Sequence, residues 1–130
     1  MTPQQYRNTL DWVEALLSGE YTHGKIRLYN PTNNTYSALG VALVLVGHER
    51  VFQNLFCDYS PVIGRTQSVR QEWLDNRFGT NRTVGVIKTM NDLTDDYLSV
   101  AALLLNSCLA GERQSSLHRK MMEQFRAKQA

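Results

Sequence analysis

The sequence predicts an α+β fold: one α-rich domain with about five helices around a buried central helix, and a small β-hairpin beside it. Three observations carry this reading. Residues Ala38 to Val46 are apolar on every side, and a helix so coated must sit in the centre of a fold. Several other stretches repeat apolar residues at helical spacing. A turn cluster, Asn30-Pro31-Thr32-Asn33-Asn34, separates two short segments of strand character. The chain of 130 residues suits a single core.

The elements follow in order. Thr2 can cap a first helix, and Pro3 fits its first position. Tyr6, Leu10, Val13, Leu16 and Leu17 form its apolar face, and Ser18-Gly19 ends it, with Gly19 as the left-handed cap residue. Ile26 to Tyr29 alternates like a strand, and Thr35-Tyr36-Ser37 can return as its partner, giving a hairpin from Lys25 to Tyr36. The central helix follows, with Gly40 open to a close backbone approach and Gly47 closing it. Residues 48–65 lack a clean period and read as an irregular segment or short hairpin, partly buried through Val51, Phe52, Leu55 and Phe56. Residues 66–78 form a helix with Val69, Trp73 and Leu74 inward and Gly79 as its stop. Residues 83–93 form another, through Val84, Ile87, Met90 and Leu93. Leu98 to Leu109 is a buried apolar helix broken by Gly111. Residues 115–128 make a basic final helix, an extension over 112–130. Its narrow stripe of Leu117, Met121 and Phe125 suits docking on the core or on a second subunit.

Composition narrows the function classes. The chain is 42% hydrophobic and 20% charged, ordinary for a globular protein. A net charge of +2 lacks the concentrated basic face of most nucleic-acid binders. The longest apolar run is about half a membrane span. The start, MTPQQYRNTLDW, is polar where a signal peptide is apolar, which points to the cytoplasm. Cys57 and Cys108 are far apart, and the histidines His23, His48 and His118 are scattered. Free core thiols and no metal site or cofactor are expected.

Three stretches carry candidate chemistry. In SGEYTHGKIRL, strand spacing puts Lys25, Arg27 and Tyr29 on one face and Ile26 and Leu28 on the other. Tyr21 and His23 lie just upstream. Cations beside aromatic rings suit a nucleotide, charge to phosphate and ring to base, although an ordinary exposed strand face has the same pattern. Tyr36 and Ser37 open the central helix, where Ser37 is a plain N-cap or part of an anion site. Asn91, Asp92, Asp95 and Asp96 cluster between two helices, as helix caps or as partners for ribose hydroxyls or a divalent cation. The spacing is not that of a calcium loop, and no nucleotide-binding or hydrolase motif occurs. An acid–base pair such as His23 with Asp92 can be drawn, but no spacing demands it. The basic last helix, with Arg113, His118, Arg119, Lys120, Arg126 and Lys128, reads as a solvated face.

The segments WVEALLSGEY, HGKIRL, YSALGVAL, VIKTMNDLTDD and SVAALL together resemble a family of small uncharacterised proteins of tailed phages and prophages. The likeness spans about residues 12–105, and residues after Gly111 fall beyond it. Where that family carries two cysteines this chain has Ser37 and Ala38, so a thiol-dependent role does not transfer. The resemblance implies a phage origin, no established enzyme activity, and a role against host antiviral defence, such as sequestering a nucleotide immune signal. Combined with the cation-plus-aromatic face, it gives the expected function: a non-enzymatic, homo-oligomeric protein of the host cytoplasm that binds a small anionic ligand. The expected ligand-binding residues are Tyr21, His23, Lys25, Arg27, Tyr29, Tyr36, Ser37, Asn91, Asp92 and Asp95. The alternatives are direct binding of a host defence protein, marked by an apolar patch around Phe52, Leu55 and Phe56, and an enzyme that degrades a nucleotide.

Overall fold

Helix α1 (Pro3–Leu17) begins with a reciprocal cap: Thr2 Oγ1 accepts the Gln5 N–H at 3.2 Å, and Gln5 Oε1 accepts the Thr2 N–H at 2.8 Å. In this computed structural model, residues 2–47 and 69–129 are described. They contain six helices and one small antiparallel sheet, in the order α1, β1 (Tyr29–Asn30), β2 (Thr35–Tyr36), α2 (Ala38–Leu45), α3 (Gln71–Arg77), α4 (Val84–Leu93), α5 (Leu98–Leu105) and α6 (Glu112–Gln129). This is the expected helix-rich α+β class.

The buried face of α1 is Thr9, Trp12, Val13, Leu16 and Leu17. Trp12 is fully enclosed, packs its ring at a tilt against Phe78 with centroids 4.8 Å apart, and donates its indole N–H to the Ala38 carbonyl at 2.8 Å. That bond satisfies the one polar atom of an otherwise apolar anchor. Gly19, at φ +81°, takes the left-handed position expected of a helix terminator.

Helix α2 is buried from Ala38 to Leu43, while Leu45 in its last turn is 40% exposed. A Cβ on Gly40 would lie 1.9 Å from the Leu28 carbonyl oxygen, so the close approach expected there is real. Leu28 is fully buried against this helix, and its carbonyl also accepts the Ser37 N–H at 3.2 Å.

The sheet is shorter than expected. Tyr29 pairs with Tyr36 and Asn30 with Thr35, and the strand does not extend back to Lys25. Ile26 has φ +73°, and the Arg27 N–H donates to the Lys25 carbonyl at 2.8 Å, making a tight three-residue turn. The alternation over residues 25–29 therefore breaks: Leu28 is buried as expected, but Ile26 is 54% exposed.

Helix α3 starts at Gln71 and not near residue 66, since Val69 and Arg70 are non-helical. Helix α4 has its expected bounds, but Leu93 is 78% exposed and the buried member of its last turn is Asn91. Helix α5 stops at Leu105, four residues early, and Leu109 is 70% exposed. The stripe of α6 docks on the chain's own core through buried Leu117 and Met121. Arg113 bonds Asp11 and, at 2.9 Å, Glu14, and Gln124 donates to the Leu17 carbonyl at 2.8 Å. The expectations for Val51, Phe52, Leu55, Phe56, His48 and Cys57 lie outside the described residues. Among the described residues no helix is long and apolar enough to cross a membrane.

Candidate functional site

The turn that follows α1 and the end of α4 meet. Residues 22–24 run beside Tyr36, with the Gly24 N–H on the Tyr36 carbonyl and the Tyr36 N–H on the Thr22 carbonyl, both at 2.8 Å. This brings His23, Gly24, Lys25 and Ile26 against Asn91, Asp92 and Asp95. Two of the three stretches singled out in the sequence thus form one locus, and the third, Tyr36-Ser37, adjoins it.

The groups there are largely committed to one another. Asn91 accepts the Ala38 N–H at 3.0 Å through Oδ1 and donates through Nδ2 to the Gly24 carbonyl at 2.9 Å. Asp92 Oδ1 accepts the Ile26 N–H at 2.9 Å. Lys25 Nζ sits 2.8 Å from Asp95 Oδ1, and this pairing holds the exposed Asp95 carboxyl below its usual range. Ser37 is a cap, accepting the Gly40 N–H at 3.2 Å. The first amides of α2 are therefore occupied by Ser37 and Asn91, which an anion at that terminus would have to displace. Asp96 likewise caps α5, accepting the Leu98 N–H at 3.0 Å. The His23–Asp92 pair is not formed, because each bonds elsewhere.

The aromatic candidates cluster. The Tyr36 ring stands between Tyr29, 4.7 Å away, and Tyr21, 5.3 Å away and edge-on. The Tyr29 hydroxyl donates to Asn34 Oδ1 at 2.9 Å. Lys25, Arg27 and Tyr29 do not share a strand face, because the positive φ at Ile26 reverses the chain between them. Arg27 is exposed and, among the described residues, has no ion-pair partner.

A cleft of about 510 Å³ opens beside this locus, between the end of α1, the turn through His23, the start of α5 and the end of α6. Tyr21 and His23 line it, and so do Asp96, Tyr97, Gln124 and Lys128. Lys25 and Arg27 are not among its lining residues. Lys128 reaches Asp96 at 2.8 Å, and this contact raises the Lys128 ammonium above its usual range. Tyr97 is buried, donates its hydroxyl to the Tyr36 carbonyl at 2.6 Å, and burial pushes its phenol well up. His23 lies edge-on to it at 5.0 Å. Burial holds the imidazole below its ordinary 6.5, outweighing the bond to the Asn91 carbonyl and the nearby Asp96 charge, while Lys25 adds to the lowering.

Sequence reading missed Tyr97, Gln124 and Lys128. Tyr97 carried one signal, an aromatic with a polar tip just before an apolar helix; the other two are unremarkable residues of a polar helix until that helix docks. Among the described residues there is no cluster of three or more His, Cys, Asp or Glu side chains able to hold a metal. Cys108 is a half-buried free thiol whose pKa burial raises, so it is a poor nucleophile at neutral pH. No protein-family model, curated protein or solved structure matches the chain.

Proposed function

We propose that this protein is a non-enzymatic binder of a small anionic nucleotide, which it withholds from an antiviral effector in the cytoplasm of a phage-infected host. The cleft carries this reading: it combines the rings of Tyr21 and Tyr97 with the Lys128 ammonium in one concavity. Its volume of about 510 Å³ falls within the usual range for small-ligand sites. A base would stack against the tyrosine rings, Lys128 would meet phosphate, and Asp96, freed from Lys128, would accept from ribose hydroxyls. This reading moves the ligand from the hairpin rim to the adjoining cleft, which Lys25 and Arg27 do not line, and retains Tyr21 and His23. A second copy of the chain over the mouth would complete the enclosure.

The test is a thermal-shift panel of nucleoside monophosphates and cyclic phosphodiesters. A ligand at a hundredfold its Kd adds about 2.7 kcal/mol to folding stability. The reading requires a shift that Tyr21→Ala and Lys128→Ala both abolish. It fails if no nucleotide raises the melting temperature, or if both variants keep the full shift. A shift lost only in Lys25→Ala or Arg27→Ala would assign the ligand to the rim.

A second reading, direct binding of a host protein, is favoured by the exposed apolar residues Val86 (44%) and Leu93 (78%). They lie seven apart on one face of α4, and Ile26 adjoins the end of that helix through Asp92. A single stoichiometric host partner lost on Leu93→Glu, with no nucleotide-dependent shift, would support it.

A further inference from the structure

His23 is fixed in one orientation by contacts on two sides. Its Nε2 lies 3.0 Å from the Asn91 carbonyl oxygen. A carbonyl can only accept, so Nε2 carries the proton and Nδ1 carries the lone pair. Nδ1 has no hydrogen-bond partner among the described residues, while the imidazole forms part of the cleft wall. The edge-on Tyr97 ring at 5.0 Å and the backbone bridge from His23 to Tyr36 hold the ring there. The cleft therefore has a rigid, uncharged hydrogen-bond acceptor beside its aromatic rings.

Building on the cleft reading above, we propose that His23 sets the specificity of the site: Nδ1 accepts a hydrogen bond from an exocyclic amino group, so the bound nucleotide is one whose base carries an amine. A base without that donor leaves this bond unmade, and sites built around a hydrogen bond reject ligands that lack it. The acceptor exists only while the imidazole is neutral. The charged groups around it are Asp96 at the start of α5, Lys25 on its own turn, Lys128 on α6, and Asp95, paired with Lys25. Tyr97 lies edge-on to it, and Tyr21 lines the same cleft. Burial, the dominant influence on the imidazole, keeps it neutral near pH 7.

The test uses the unmodified protein and two probes with the same phosphate, adenosine 5′-monophosphate and purine riboside 5′-monophosphate, which lacks the amine. Calorimetry at about pH 7.5 should give an affinity ratio of about tenfold in favour of the aminated probe, the worth of one hydrogen bond. Lowering the pH until NMR shows the His23 imidazole protonated should narrow that ratio, because protonation turns Nδ1 from acceptor to donor. Both probes carry the same titrating phosphate, so its protonation cancels in the ratio, and circular dichroism at both pH values establishes that the protein stays folded. Equal affinities at neutral pH, or a ratio that does not change with pH, overturn the assignment to His23 while leaving the cleft reading intact. If neither probe binds, this inference falls, while the cleft reading stands or falls on the wider nucleotide panel above.

Discussion

Ala38 donates its backbone N–H to the side-chain oxygen of Asn91 across 3.0 Å, joining positions 53 apart in the chain. Through the same side chain, Asn91 reaches the Gly24 carbonyl at 2.9 Å. One almost fully buried amide thus fastens the start of the central helix and the turn after α1 to the end of α4.

Asn91→Ala should be costly out of proportion to its size. It orphans a buried N–H and a carbonyl, each worth about 1–3 kcal/mol when left unpaired. A loss of at least ~2 kcal/mol in urea denaturation is expected. Asn91→Asp should recover part of it, because a carboxylate still accepts from Ala38.

Gly40→Ala should prevent normal folding or cost at least ~3 kcal/mol. The added carbon meets the Leu28 carbonyl oxygen at 1.9 Å, and backbone cannot swing aside as a side chain does. Gly111→Ala is the control: nothing lies within 4 Å of a Cβ there, so little change is expected on melting.

Ile26→Gly should stabilise the protein by about 1 kcal/mol. A β-branched residue at positive φ carries about 1–3 kcal/mol of strain, and glycine removes it at an entropic cost of about 0.5–1 kcal/mol. Ile26 is 54% exposed, so little burial is lost. An unchanged or lowered urea midpoint contradicts this.

Stability should fall as pH drops through the histidine range. Burial depresses the folded-state pKa of His23 below 6.5, so the unfolded chain binds the proton more readily. This contribution is complete above pH 6.5 and is lost as pH falls from there through the lower folded-state value. Asp95, held below 3.8 by Lys25, adds a second loss at more acid pH, below 3.8. Melting temperatures recorded across this range should show the first step, and His23→Gln should remove it.

Lys128→Ala should leave the melting temperature nearly unchanged, since its ammonium is exposed and solvent screens the bridge to Asp96. Loss of a nucleotide-induced thermal shift in the same variant would then separate the proposed recognition from stability.

The sequence declared those elements whose cause is local. The cap at Thr2, the terminators Gly19 and Gly47, the apolar helix at Ala38 and the bounds of α4 all follow from residues within a few positions of each other. Gly40 was legible because a glycine inside an apolar helix implies a neighbour, though not which one. What stayed hidden depends on distant partners. A helical period put Leu93 inside, yet the end of α4 is occupied by an amide that satisfies two backbone groups from elsewhere. A strand period put Lys25 and Arg27 on one face, yet the Asp92 bond to the Ile26 N–H accompanies a reversal there that no alternation reveals. The turn after α1 and the end of α4 do meet at Asn91, but the cleft beside them includes Lys128 and Gln124, whose place is set only by the docking of α6.

The cleft has walls from the end of α1, the start of α5 and the last turns of α6. No contiguous peptide of this chain contains them all, so a ligand held there senses completion of the whole domain. If a nucleotide binds there as proposed, limited proteolysis should slow throughout these segments on its addition, and a nick that releases α6 should end the binding at once.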